Sequence, residues 1–160
     1  MNKMNKLQML NEKLGIKIRN ITVEDYPELV KWWKQYEGKG LKIPKSSMLP
    51  KNGLGGFVVE KNGSLIASAF LYFTNSTMGY IDYLIADPKY REDDRQDVLV
   101  QLAAHATGVA VKSGCEQVWA MTTNKKLIQM VTGKSMPMEV LPDTYKVLYV
   151  YDKRTSRLND

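Results

Sequence analysis

Asn62-Gly63 separates two apolar runs, Phe57-Val-Val-Glu-Lys and Ser64-Leu-Ile-Ala-Ser-Ala-Phe-Leu-Tyr-Phe. A two-residue connection between extended segments is a type I′ turn, which needs positive φ at both positions, and Asn-Gly supplies it with little strain. The pattern dictates an antiparallel hairpin over 57–73. Its second arm is apolar on both faces, so it belongs inside a sheet rather than at an edge. Asn75-Ser-Thr makes the next turn. Gly79-Tyr-Ile-Asp-Tyr-Leu-Ile-Ala86 then reads as the next strand of a meander, broken by Asp87-Pro88. The rest of the chain has to pack around this sheet.

Before it, residues 16–22 alternate apolar and polar, the period of a half-buried strand. Asp25-Tyr-Pro-Glu28 fits a capping box with Pro27 in the first helical turn. Tyr26, Leu29, Val30, Trp33 and Tyr36 fall on one helix face. Trp33 and Trp119 read as core on this basis, and Trp32, off the stripe, as the most exposed tryptophan. Seven Gly and Pro positions make 37–56 a long loop, either functional or a plain surface connection. After the meander comes the charged stretch Arg91–Asp97. Val98, Leu99, Leu102, Ala103, Ala106, Val109 and Ala110 then mark an amphipathic helix, ended by Lys112 and Gly114. Residues 116–122 read as a strand. Asn124 caps a short helix to about residue 132, and Val140-Leu and Tyr145–Tyr151 close the domain as strands. Residues 1–15, with Leu7, Leu10 and Leu14 at helical spacing, form a lead-in, and 152–160 a polar tail. This order implies one α+β (mixed α/β) domain over 16–151.

With 44% hydrophobic and 25% charged residues, the 160-residue chain is neither disordered nor fibrous. A lone cysteine excludes a disulfide scaffold. Cys115 reads as a small buried residue and His105, the single histidine, as a boundary residue of its helix; no Cys/His cluster points to zinc. No apolar run approaches the roughly 20 residues of a membrane span, and Met1–Gly15 lacks the apolar core of a signal peptide, so a cytoplasmic protein without membrane association is expected. The net charge is +6. Lys31, Lys34, Lys39, Lys42, Lys45 and Lys51 face only Glu37, so this stretch is either a site for a polyanion, nucleic acid included, or a solvated face. Trp32, Lys39, Lys42 and Tyr72 are the candidate substrate or partner surface.

Several segments together resemble the GNAT N-acetyltransferase superfamily over roughly 16–151. The hairpin 57–73 looks like its second and third strands. Tyr80-Ile-Asp-Tyr-Leu-Ile-Ala-Asp-Pro-Lys-Tyr-Arg91 looks like its central strand running into a Pro-x-Tyr-Arg segment. The helix Arg95–Ser113 looks like its cofactor helix, and Asn124-x-x-Leu127 like a later motif. Trp33, Leu49-Pro50 and Phe70-Leu-Tyr-Phe-Thr74 are similar to divergent GNAT-like proteins of bacteriophages. The resemblance implies a mostly antiparallel twisted sheet of six or seven strands flanked by helices. It also implies acetyl-CoA as co-substrate and an amine-bearing small molecule or protein as acceptor, acylated by direct transfer. Backbone amides near Ile85 and Ala86 would meet the thioester. Asp82 would act as base. Arg91, Arg95, Gln96 and Asn124 would contact the cofactor, its pyrophosphate on a helix N-terminus.

The sequence also departs from that family. Its phosphate loop is Arg/Gln-x-x-Gly-x-Gly/Ala, whereas Arg91-Glu-Asp-Asp-Arg-Gln-Asp97 has no glycine and four acids. Such acids already satisfy a helix dipole. The tyrosine that commonly protonates the leaving thiolate is replaced by Met130-Val131-Thr132, which leaves Tyr72, Tyr83 and Tyr145 as candidates. An acyltransferase and a GNAT-like binding module without catalysis therefore both remain open.

Overall fold

A computed structural model describes residues 3–37, 43–51, 54–122, 125–132 and 139–140. Helix α1 (Lys3–Leu14) leads into β1 (Ile16–Asn20), a 3-10 turn (Val23–Asp25) and α2 (Tyr26–Tyr36). Strands β2 (Gly56–Lys61), β3 (Ser64–Phe73) and β4 (Met78–Ala86) follow, then α3 (Arg95–Lys112), β5 (Gln117–Ala120) and α4 (Lys125–Val131). The order across the sheet is β1-β2-β3-β4-β5, antiparallel except for the parallel β4–β5 pair. Asn62 and Gly63 have φ of 52° and 77°, as the hairpin turn requires. The sheet thus has five strands among the described residues, slightly fewer than expected. Val140 is in no strand, and the final strands expected over 141–151 lie outside the described residues.

Alternation along the strands builds two apolar layers. Phe57, Val59, Ala67, Ala69, Leu71 and Ile81 pack with α3 through Val98, Leu102, Ala103, Ala106 and Ala110. On the opposite face Val58 and Phe70 meet Leu29, Trp32 and Trp33 of α2. Trp32 is only 1% exposed, which corrects the expectation of a partner-facing tryptophan. Counting from Leu29, Trp32 is at i+3 and Trp33 at i+4, so both belong to the buried stripe. Ile43 and Leu49 pack against the same cluster, and Tyr26 Oη donates to the Pro44 carbonyl at 2.9 Å. The described part of the long loop is therefore pinned to this layer. Trp119 corrects the opposite way: on the outermost described strand it is 40% exposed.

The cap of α2 also differs from the expected box. Asp25 accepts from the Thr22 amide at 2.8 Å and takes a two-pronged bond from Arg19, both arms 2.8 Å, while Glu28 pairs with Lys31 at 2.7 Å. The Arg19 hydrogen bond holds the Asp25 carboxyl below its usual range against the opposing effect of burial. A depressed folded-state pKa gives stability that is complete above the unfolded value near 3.9 and is lost as pH falls through the lower folded value. The expected result is a wild-type unfolding midpoint that drops below about pH 4. In Arg19→Met this acid-dependent drop should be smaller, as urea titrations at several pH values would measure.

Gly55 carries a second local constraint. Its φ is 91°, its carbonyl accepts from the Leu71 amide at 2.6 Å, and a Cβ there would stand 2.1 Å from the Leu71 carbonyl oxygen. Gly55→Ala is expected to destabilise by about 1–3 kcal/mol from backbone strain alone, read as a lower thermal midpoint.

Candidate functional site

The site forms where β4 changes partners. Asp82 lies opposite Phe70 and Ile85 opposite Ser68, so Tyr83 and Leu84 together face Ala69 alone. This is a β-bulge, an extra residue that bends the strand and re-aims its side chains. Tyr83 adopts φ of 51°, and its amide donates to Asp82 Oδ1 at 2.7 Å. The extra residue resets the alternation. Tyr83 and Ile85 pack with the α2 layer, whereas Leu84 and Ala86 pack with the α3 layer.

On its other side β4 pairs with β5 only over Met78–Ile81. From Asp82 to Ala86 it has no neighbour on that side among the described residues. The sheet therefore opens into a wedge bordered by backbone donors and acceptors.

Tyrosines surround Asp82. Tyr80 Oη donates to Asp82 Oδ2 at 3.2 Å, and Tyr80 lies opposite Tyr72. Phe70 sits 5.4 Å from the Tyr83 ring and 6.2 Å from that of Tyr72; Trp33 stands edge-on to Phe70 at 5.8 Å and to Tyr83 at 5.7 Å. The Tyr72 hydroxyl and the Trp33 indole N–H are buried without a partner among the described residues. Burial first, and then the Asp82 charge, pushes Tyr80 up to about 12. Tyr72 and Tyr83 also rise, again chiefly through burial. All three therefore stay protonated at neutral pH.

At the start of α3, Glu92, Asp93 and Asp94 line an open depression. Lys61, a residue the sequence reading missed, closes over part of it. Its Nζ donates to Asp94 at 2.6 Å and to Glu92 and the Tyr90 hydroxyl at 3.0 Å each, and Tyr90 Oη donates to Asp94. Arg91 is exposed, and Gln96 is half-buried with its side-chain carbonyl unpartnered. Arg95 does not stand free toward this depression. It donates to the carbonyls of Asp87 (2.6 Å), Tyr90 and Ala86 (3.4 Å) and to Tyr36 Oη (3.2 Å), tying the end of β4 to α2. Tyr36 Oη in turn donates to the Ala86 carbonyl at 3.2 Å.

The structure therefore brings Tyr72, Asp82, Ile85 and Ala86 to one strand pair. Arg91 and Gln96 lie beyond its end on the turn into α3. Asn124, Lys39 and Lys42 lie outside the described residues. Of the basic stretch, Lys31 is paired with Glu28. His105 packs edge-on against Phe57 at 4.8 Å, on the α3 face and away from Asp82, and burial lowers its pKa. Cys115 is buried. Among the described residues no helix is long and apolar enough to cross a membrane.

No model of a known protein family matches the chain. It is 28% identical over 143 residues to the amino-acid acetyltransferase of Azotobacter vinelandii, covering 87% of this chain and 32% of that protein. The chain thus spans about a third of the length of that curated relative. Among solved structures it resembles the N-acetylglutamate synthase of Neisseria gonorrhoeae complexed with coenzyme A and N-acetyl-glutamate. The TM-score is 0.60 with 22% identity, covering 74% of this chain and 28% of that one. It also resembles the ribosomal-protein-S18-alanine N-acetyltransferase of Escherichia coli at a TM-score of 0.59 and 17% identity, covering 72% of this chain and 73% of that one. These likenesses show that the described sheet and helices have a GNAT-like N-acetyltransferase fold.

Proposed function

We propose that the chain is an acyl-CoA-dependent N-acyltransferase that moves an acetyl group directly from acetyl-CoA to a primary amine. The observation that carries this is the parting of β4 from β5 beside the bulge, with a carboxylate on the first unpaired residue. The open backbone near Ile85 and Ala86 gives the thioester a polar edge to lie along. Amide donors aimed at the carbonyl oxygen stabilise the negative charge that develops there. Asp82 removes a proton from the acceptor ammonium, directly or through water. The freed amine nitrogen attacks the acetyl carbonyl carbon, the C–N bond forms, and the C–S bond breaks. The departing thiolate takes a proton from a tyrosine, and the second proton that the nitrogen sheds on becoming an amide passes through water to restore that tyrosine. Tyr72 suits that role because its hydroxyl is protonated and has no acceptor among the described residues.

The turn before α3 fits the CoA phosphates less well than a glycine cradle would. Lys61 offsets part of its negative charge, since its single ammonium is shared between Asp94 and Glu92. Arg91, Gln96 and the first α3 amides are the proposed phosphate contacts, with Arg95 holding the turn in place and Asn124 completing the site. The acid-rich turn is also the feature that suits a non-catalytic binding module; the acetyltransferase relative and the neighbour complexed with coenzyme A favour catalysis. The Trp33, Leu49-Pro50 and Phe70–Thr74 pattern supports placing the chain among bacteriophage-type members.

Calorimetric titration with acetyl-CoA tests the reading. Ligand at 100 times its dissociation constant is expected to stabilise the fold by about 2.7 kcal/mol, read as a rise in Tm. No heat and no shift at millimolar acetyl-CoA would overturn it.

A further inference from the structure

We infer that the acceptor is a primary alkylamine that enters as a cation and carries no carboxylate; this rests on the acyl-transfer reading and narrows it. The first ground is charge. Across β3, β4 and β5 Asp82 is the only charged residue. The tyrosines beside it on this face, Tyr72, Tyr80 and Tyr83, are neutral, so these three strands present the wedge with one negative charge. Half-buried surroundings strengthen its pull on a cation and its repulsion of an anion.

The second ground is the lining. Tyr72, Tyr80 and Tyr83, each partly exposed, stand beside Asp82 on this face, with Phe70 and Trp33 buried behind them. Aromatic faces attract ammonium groups and give a carboxylate nothing. The third ground is the engagement of the guanidinium at the end of β4. A guanidinium fork is the strongest grip on a carboxylate, and Arg95 spends both terminal nitrogens on three backbone carbonyls and Tyr36.

Two matched pairs isolate the α-carboxylate: 2-phenylethylamine against L-phenylalanine, and cadaverine against L-lysine. Release of the CoA thiol from acetyl-CoA is followed with the 160-residue chain. The expected result is a kcat/KM about tenfold or more higher for the amine lacking the carboxylate in at least one pair, and no reversal in the other. Such a ratio is what unpaired charge imposes on a site. Equilibrium binding of the same amines to Asp82→Asn gives a second readout that does not need turnover, and the preference within each pair should fall toward unity. An amino acid acylated as well as, or better than, its matched amine overturns the inference. So does the absence of binding and turnover for all four amines. Failure of acetyl-CoA to bind in the titration above marks the separate failure of the acyl-transfer reading.

Discussion

Asp82→Asn is expected to lower kcat/KM for acetyl transfer by about 10²–10⁴-fold, the usual range for loss of a general base. The substitution is nearly isosteric. An amide oxygen still accepts from the Tyr83 N–H, so the bulge that depends on this 2.7 Å bond keeps its shape. Tyr80 Oη loses an ionised acceptor but can still pair with the amide. The variant should therefore fold with an unfolding midpoint close to that of the wild type. A spectroscopic readout separates a charge effect from a structural one. The Asp82 charge contributes to the raised pKa values of Tyr72, Tyr80 and Tyr83, so ultraviolet titration of the tyrosines should move toward lower pH in the variant. Unchanged kcat/KM together with shifted tyrosine titration would remove Asp82 from the reaction while leaving its place in the site intact.

The same strand shows which features sequence reasoning can reach. Asn62-Gly63 dictates a turn because backbone sterics act locally, and the meander that grows from it follows. Asp82 was legible as an acid in the central strand. The bulge was not, because apart from Asp82 the run Tyr80-Ile-Asp-Tyr-Leu-Ile-Ala carries apolar or aromatic side chains on both faces. A one-residue slip in such a run leaves no break in the hydrophobic pattern. Yet that slip brings Tyr83 to the same face as Tyr80 and Asp82.

Lys61 illustrates a second limit. It is separated from Glu92 and Asp94 by 31 and 33 residues, and only the hairpin and the crossover through the sheet bring them together. Four acids at a helix start read as a hostile surface for a phosphate until their counter-ion is known. Arg95 carries a third lesson. A guanidinium at the start of a helix looks available for phosphate, but the broken end of β4 leaves carbonyls that need donors, and Arg95 supplies them. Trp32 was misplaced for a simpler reason: the stripe counted from Tyr26 omits it, while the stripe counted from Leu29 includes it.

Trp33→Ala is expected to destabilise the fold by about 3–5 kcal/mol, the range for deleting a buried aromatic side chain. Native stability is about 5–15 kcal/mol, so this is a large share of the total. Trp33 is completely buried and touches three elements at once: Tyr26 within its own helix, Phe70 on β3 and Tyr83 on the bulge of β4. Helix α2 is 11 residues long, too short to persist without the packing of its apolar face. Urea denaturation should therefore give a lower midpoint with an unchanged slope, the signature of lost stability rather than altered compactness. Trp33→Phe should recover part of the loss, since a smaller aromatic still meets Phe70 and Tyr83. A loss below about 1 kcal/mol for the alanine variant would mean that α2 does not hold this face, because burial of an aromatic this size cannot otherwise be so weak. The effect should also reach the chemistry. Tyr83 rests on Trp33 and supplies the N–H that orients Asp82, so at temperatures where the alanine variant is still folded its kcat should fall. The phenylalanine variant, which keeps a ring against Tyr83, should retain more of it.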